Sequence, residues 1–353
     1  GANMHEFGAG ATGSNVWYGT PRNPYNPQHF TGGSSAGTGG AVSSGLAPAG
    51  IGSDGGGSVR IPSALCGLYG LKTTMGRVDS VGEVPICPTN GVAGPLTAHF
   101  LDNALIYSII SQKSPHFTRF PTPHPVLSSL SSSLSGLKVG VYWPWFLDCD
   151  EEVKKQALKG LEWLKQEGVE VVDVVVPDLR VFSNAHVVSF ITEAYSNFEK
   201  VIKENRDKVG PEMRILHALA SSATGGEINA VSRIRTMAIK TFSDVFDKVD
   251  VLVTPSTAAT APYFPPEALN GISNMEGDTK LIRYSSFSNF AGFPSISVPI
   301  GYSNEGLPVG FQIMADFWEE NLLYNVAHQL SRKITTQKPE IFFDVLGKAK
   351  ELA

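Results

Sequence analysis

Ser34 and Ser58 are the side chains best placed for covalent chemistry, because each closes a run of glycines: Gly32-Gly33-Ser34-Ser35-Ala36-Gly37 and Asp54-Gly55-Gly56-Gly57-Ser58-Val59-Arg60. Glycines on the N-terminal side of a hydroxyl admit positive φ and leave backbone N–H groups uncovered, so a carbonyl can approach both. A serine in such a turn can attack that carbonyl while its own turn holds the oxyanion. The N–H groups of Gly55, Gly56, Gly57 and Ser58 are the candidate donors. Loss of one donor of this kind costs about 2.7–4 kcal/mol of barrier, so the path of the backbone matters as much as the hydroxyl.

Residues 32–63 as a whole resemble the signature block of the amidase signature family, a pattern carrying far more information than a short Gly-x-Gly motif. Residues 250–255, 292–299 and 306–312 match further amidase positions in order, so the resemblance covers nearly the whole chain. Residues 55–67, 70–74 and 338–344 most resemble the fatty acid amide hydrolases of plants within that family. The resemblance implies an α/β amidase signature fold, a mixed β-sheet core covered by helices on both faces.

It also implies a mechanism. Ser58 is the acyl-ester nucleophile, and Ser34, preceded by a cis peptide bond, is the relay that passes a proton between Ser58 and a lysine held neutral by burial. Asp54 and Arg60 form an ion pair bracing the nucleophile turn; the alternative for them is a solvated surface pair worth ~0–1 kcal/mol. The implied substrate is a fatty acyl amide such as an N-acylethanolamine, with no cofactor and no metal. Three alternatives stay open: a general amidase for small amides such as indole acetamide, the glutaminase subunit of a tRNA amidotransferase, and a catalytically inactive homologue.

In the family the base lysine lies farther upstream than the 33 residues that precede Ser34 here, and no lysine occurs before Lys72. Lys72 is no substitute, since the family carries a lysine there beside the catalytic one. The chain also starts within a motif, at Gly1-Ala2-Asn3-Met4. It is therefore expected to be a fragment of an amidase domain lacking the N-terminal part with that lysine, and nearly inactive alone.

Composition narrows the partners. A net charge of −5 gives no basic footprint for nucleic acid. Three widely spaced cysteines, Cys66, Cys87 and Cys149, fit neither a disulfide framework nor a zinc site and point to a reducing compartment, and the resemblance implies an intracellular one. No apolar run of about 18 residues is present. By resemblance the protein is cytoplasmic or peripheral on endomembranes, the full-length form admits peripheral membrane attachment, and a homodimer is compatible with it. The Gly8-x-Gly10-x-x-Gly13 and Gly50-x-Gly52-x-x-Gly55 spacings lack the strand–turn–helix setting of a dinucleotide site.

The elements that must position the serines follow from periodicity. Residues 1–353 read as one amidase domain, with a Ser/Pro-rich surface linker or insertion at 111–136. Helices are predicted at 41–45, from 58 onward, and at 101–110, 151–167, 184–204, 211–221, 227–246 and 319–331. Strands are predicted at 46–52, 137–142, 169–176, 250–254, 295–300 and 309–314, and residues 1–30 read as loop. His186 and His217, in apolar helical stretches, read as packed, hydrogen-bonded residues. The Trp143-Pro144-Trp145-Phe146 cluster reads as core, with an acyl-channel wall as the lesser alternative.

Overall fold

A computed structural model describes residues 1–112, 114, 116, 121, 125–130, 133–271 and 275–344. In chain order the elements are β1 (Arg22–Asn23), β2 (Asn26–Phe30), α1 (Ala36–Ser43), β3 (Ala49–Asp54), α2 (Arg60–Leu65), β4 (Tyr69–Lys72), β5 (Val92–Thr97), α3 (Phe100–Ile110) and α4 (Val126–Ser129). They continue with β6 (Lys138–Val141), α5 (Trp143–Phe146), α6 (Glu151–Gln166), β7 (Glu170–Asp173), α7 (Leu179–Glu204), α8 (Pro211–Ala220), α9 (Gly225–Phe246) and β8 (Val251–Pro255). The last are α10 (Met275–Ile282), α11 (Ser286–Ala291), β9 (Ser295–Tyr302), β10 (Pro308–Ala315) and α12 (Glu320–Ser331).

β1 and β2 form a small hairpin; the other strands make one eight-stranded sheet in the order β3-β5-β4-β9-β10-β8-β6-β7. Pairing is antiparallel from β3 through β8 and parallel at β8-β6-β7. The sheet is thus mixed, as expected of the family.

Period-2 alternation explains how helices come to cover both faces. Ile296, Val298, Phe311, Ile313, Val251 and Val253 point into one core with α3, α4, α6 and α12. Leu252 and Met314, one position out of phase, point into the other with α5, α7, α9 and α11. Fully burying one such side chain stabilises the fold by about 1.5–3 kcal/mol. α6 shows the helical counterpart: Val153, Ala157, Leu161 and Leu164 lie on its buried side, while Glu151 and Glu152 open its first turn. Thr224 and Glu227 close a capping box at the start of α9.

The structure departs from expectation at several places. Residues 1–30 contain the β1–β2 hairpin, and α1 begins at Ala36 rather than 41, despite Gly37, Gly39 and Gly40. The segment 111–136 is not simply a surface linker: α4 lies in it, and Val126, Leu130 and Leu134 are buried in the first core. Apolar side chains beneath α12 organise this part, and the other portion of the segment lies outside the described residues. Trp145 and Phe146 are buried in the two cores, as the core reading has it.

Candidate active site

Ser34 sits between β2 and α1, and Ser58 between β3 and α2. The two turns touch directly, since the Ser35 N–H donates to the Ser58 carbonyl at 3.3 Å. Both hydroxyls line one cleft of about 100 Å³ together with Met4, Gly8, Ile86, Cys87 and Phe190. The Gly33–Ser34 peptide bond is cis.

Asp54 and Arg60 hold the Ser58 turn from beneath. Both are fully buried, with the guanidinium Nη2 at 2.9 Å from Asp54 Oδ1 and Nε at 3.0 Å from Oδ2. The Asp54 carboxylate also accepts the Gly57 N–H at 2.7 Å and the Val59 N–H at 3.1 Å. Burial pulls this carboxyl upward, but the Arg60 guanidinium and the backbone donors outweigh it and hold its pKa at about 2. The other Arg60 donors reach Ser288 Oγ at 2.8 Å, Gln312 Oε1 at 2.7 Å, Asn289 Oδ1 at 2.6 Å and the Ser285 carbonyl at 2.9 Å. A surface pair is therefore ruled out by position.

One candidate donor is already committed. With the Gly57 N–H on Asp54, the N–H groups of Gly55, Gly56 and Ser58 are the ones that donate to no described residue. Gly57 itself has φ +130°, and a Cβ there would lie 2.4 Å from Ser285 Oγ, so this position requires glycine twice over.

Lys72 is buried, and its ammonium donates to the carbonyls of Thr73 and Phe293 at 2.7 and 2.8 Å. It does not line the cleft. Burial, reinforced by the nearby Arg60 charge, brings its pKa down to about 7. No amine or imidazole is hydrogen-bonded to the Ser34 or Ser58 hydroxyl among the described residues. No group of three or more His, Cys, Asp or Glu is placed to hold a metal ion among them either. Cys66 and Cys87 are buried and all three cysteines are free thiols.

Sequence reasoning missed the far side of the site. Ser285, Ser288 and Asn289 on or beside α11 and Gln312 on β10 complete the Arg60 shell, while Phe190 and His186 come from α7. The available signal was a polar residue inside an apolar run, as in Phe287-Ser288-Asn289-Phe290 and Phe311-Gln312-Ile313. His186 is buried and hydrogen-bonded, as expected, but its partner is the Gly55–Ser58 turn itself, the Gly55 carbonyl at 2.7 Å.

Known proteins are similar to this chain in sequence and in fold. The amidase family model matches residues 1–324. The chain is 40% identical over 98% of its length to the fatty acid amide hydrolase of Arabidopsis thaliana, and it spans 59% of that protein. It is 32% identical over 94% of its length to the A subunit of the glutamyl-tRNA(Gln) amidotransferase of Akkermansia muciniphila, covering 76% of that protein. The solved structure of the corresponding protein from Thermotoga maritima superposes with a TM-score of 0.82 at 27% identity, over 97% of this chain and 74% of that one. With the family model matching most of the chain and the identity running over nearly its whole length, the chain belongs to the amidase signature family.

Proposed function

We propose that this chain is the core of a serine amidase acting on fatty acyl amides, N-acylethanolamines among them. Ser58 Oγ attacks the amide carbonyl carbon, and the carbonyl oxygen takes up negative charge facing the N–H groups of Gly55, Gly56 and Ser58. The C–N bond then breaks, and the amine leaves with a proton relayed through Ser34. Water hydrolyses the acyl ester and restores the Ser58 hydroxyl. Full turnover is expected to need a base that the described residues do not place at Ser34, so this chain alone should turn over slowly; general-base help is typically worth ~10²–10⁴-fold.

The observation that carries the acyl reading is the cleft wall. Met4, Val84, Pro85, Ile86, Pro88 and Phe190 line it beside Glu83 and several serines, and no lysine or arginine among the described residues lines it. A glutamine carboxylate finds no cationic partner there, whereas an apolar acyl chain needs none and can pack against the apolar part of the wall. The likeness to fatty acid amide hydrolases supports the same reading, and the likeness to amidotransferase chains keeps glutamine in the test.

A fluorophosphonate should label Ser58 in this chain, and Ser58→Ala should abolish both label and turnover. A label that persists in that variant rejects the nucleophile. Among substrates, a long-chain N-acylethanolamine is expected to show a higher kcat/KM than indole acetamide or glutamine. Preference for either short amide would move the assignment to a general amidase or a glutaminase.

A further inference from the structure

The Gly55–Ser58 turn consists of three successive peptide planes, each fixed by a different anchor. The Gly57 carbonyl accepts the Ile61 N–H at 2.7 Å, which fixes the plane containing the Ser58 N–H. The plane before it is held at both ends: the Gly56 carbonyl accepts the Ser285 hydroxyl at 2.6 Å, and the Gly57 N–H donates to Asp54. The first plane, between Gly55 and Gly56, is anchored by His186 Nε2 at 2.7 Å from the Gly55 oxygen.

We infer that His186 is a positioning residue that aims the Gly56 N–H into the cleft for the oxyanion. The inference rests on Ser58 being the nucleophile. In a trans peptide the C=O and the following N–H point in opposite directions. Pulling the Gly55 oxygen toward α7 therefore turns the Gly56 N–H away from α7. A carbonyl only accepts, so the ring proton must sit on Nε2, and Nδ1 is buried without a partner. Burial lowers the His186 pKa to about 4, which keeps the ring neutral near pH 7, while the Gly55 carbonyl selects the tautomer. The ring is itself held between Phe190 and Phe290, with centroids 6.2 and 6.3 Å away. It also packs under Gly56, where a Cβ would lie 2.9 Å from His186 Cε1. His186 reaches the turn from 131 residues away, so this anchor lies outside the signature block that supplies Asp54 and Ile61.

The test is the rate at which a fluorophosphonate labels Ser58 in the full chain, resolved into the maximal labelling rate and the concentration for half-maximal rate. His186→Phe keeps the ring packing and removes the donor. Its maximal rate should fall roughly 10–100-fold, somewhat less than the 10²–10³ for deleting an oxyanion donor outright, with the half-maximal concentration unchanged. His186→Gln, whose amide can reach the Gly55 oxygen, should recover most of the rate. His186→Asn, which is equally polar but shorter, should remain at least about tenfold slower than Gln. Wild-type labelling in His186→Phe, or equal rates for Gln and Asn, would overturn the inference; the Gln/Asn ratio decides it even if the Phe variant fails to fold. Ser58→Ala separates the two levels: a label retained there rejects the nucleophile and this inference with it, whereas failure of the His186 series alone leaves the nucleophile standing.

Discussion

Strands β9 and β10 present two unlike faces to the rest of the molecule. Toward α3, α6 and α12 they send Ile296, Val298, Phe311 and Ile313, which join the first apolar core. One residue out of phase, Ser295, Ser297 and Gln312 face the site side and are tied by directed hydrogen bonds: Ser295 to Ser288, Ser297 to Ser256, and Gln312 to Arg60, Thr254 and the Tyr284 carbonyl. The first face is held by area, which tolerates small changes of shape. The second is held by a closed set of polar partners around one buried charge, where removing a single member leaves others unsatisfied. The first face stabilises the sheet; the second fixes the atoms of a turn.

Arg60→Met is the change expected to separate the faces most sharply. It preserves much of the volume but leaves the Asp54 carboxylate buried without its cation, and Gln312 Oε1 and Asn289 Oδ1 without their donor. A loss of about 3–5 kcal/mol in denaturant unfolding is expected, together with loss of Ser58 labelling. A variant of near wild-type stability would show that the polar face is as forgiving as the apolar one.

How much of this can be read in the sequence follows the same division. The serine turns, Asp54 and Arg60 are contiguous in the chain, and the alternating runs of β9 and β10 announce themselves by period. β4 and β5 are not legible: one has four residues, and the other carries Gly94-Pro95, which suppresses the strand signal although Pro95 is paired with Ile51 in the sheet. α1 starts earlier than its pattern suggests because its glycines argue against a helix, yet they are what allow close packing: a Cβ on Gly39 would lie 3.0 Å from Pro62 Cβ, and one on Gly37 2.5 Å from the Asn3 carbonyl oxygen. The partners of the turn are illegible for another reason. Gln312, Asn289 and His186 meet it across 252, 229 and 131 residues of chain, and no local pattern encodes such a meeting.

Lys72 offers a second way to probe the polar side. Leu71 joins the apolar core, and Lys72, next to it, is buried with carbonyl partners alone, in contrast to Arg60 with its carboxylate. Its pKa is about 7 in the folded chain against an ordinary 10.5, with burial the main cause. Between those two values the unfolded chain binds more protons than the native one, so the free energy of unfolding gains from this group as pH rises from 7 toward 10.5. Lys72→Met should remove that gain. The stability difference, wild type minus Lys72→Met, is expected to grow by about 1 kcal/mol per pH unit across this window, read from urea titrations at fixed pH. A flat difference would mean that Lys72 stays protonated in the fold, paired as effectively as Arg60.

The smallest expected effect tests the apolar face. Ile313 is fully buried beside Gln312 but on the opposite side of β10. Ile313→Val deletes one methylene from a core that can partly close over the gap, and should cost about 0.5–1.5 kcal/mol. No hydrogen bond of the Arg60 shell touches it, so the rate of Ser58 labelling should equal the wild-type rate in buffer without denaturant. Were labelling to slow in this variant while the protein stayed folded, β10 would be transmitting core packing to the nucleophile turn through its backbone. The helix between them makes that a fair trial: a Cβ added at Gly310 would lie 2.6 Å from Ala64 Cβ of α2, so any shift of β10 would be felt by the helix that follows Ser58. An unchanged rate shows the strand to be stiff enough to keep its two faces independent.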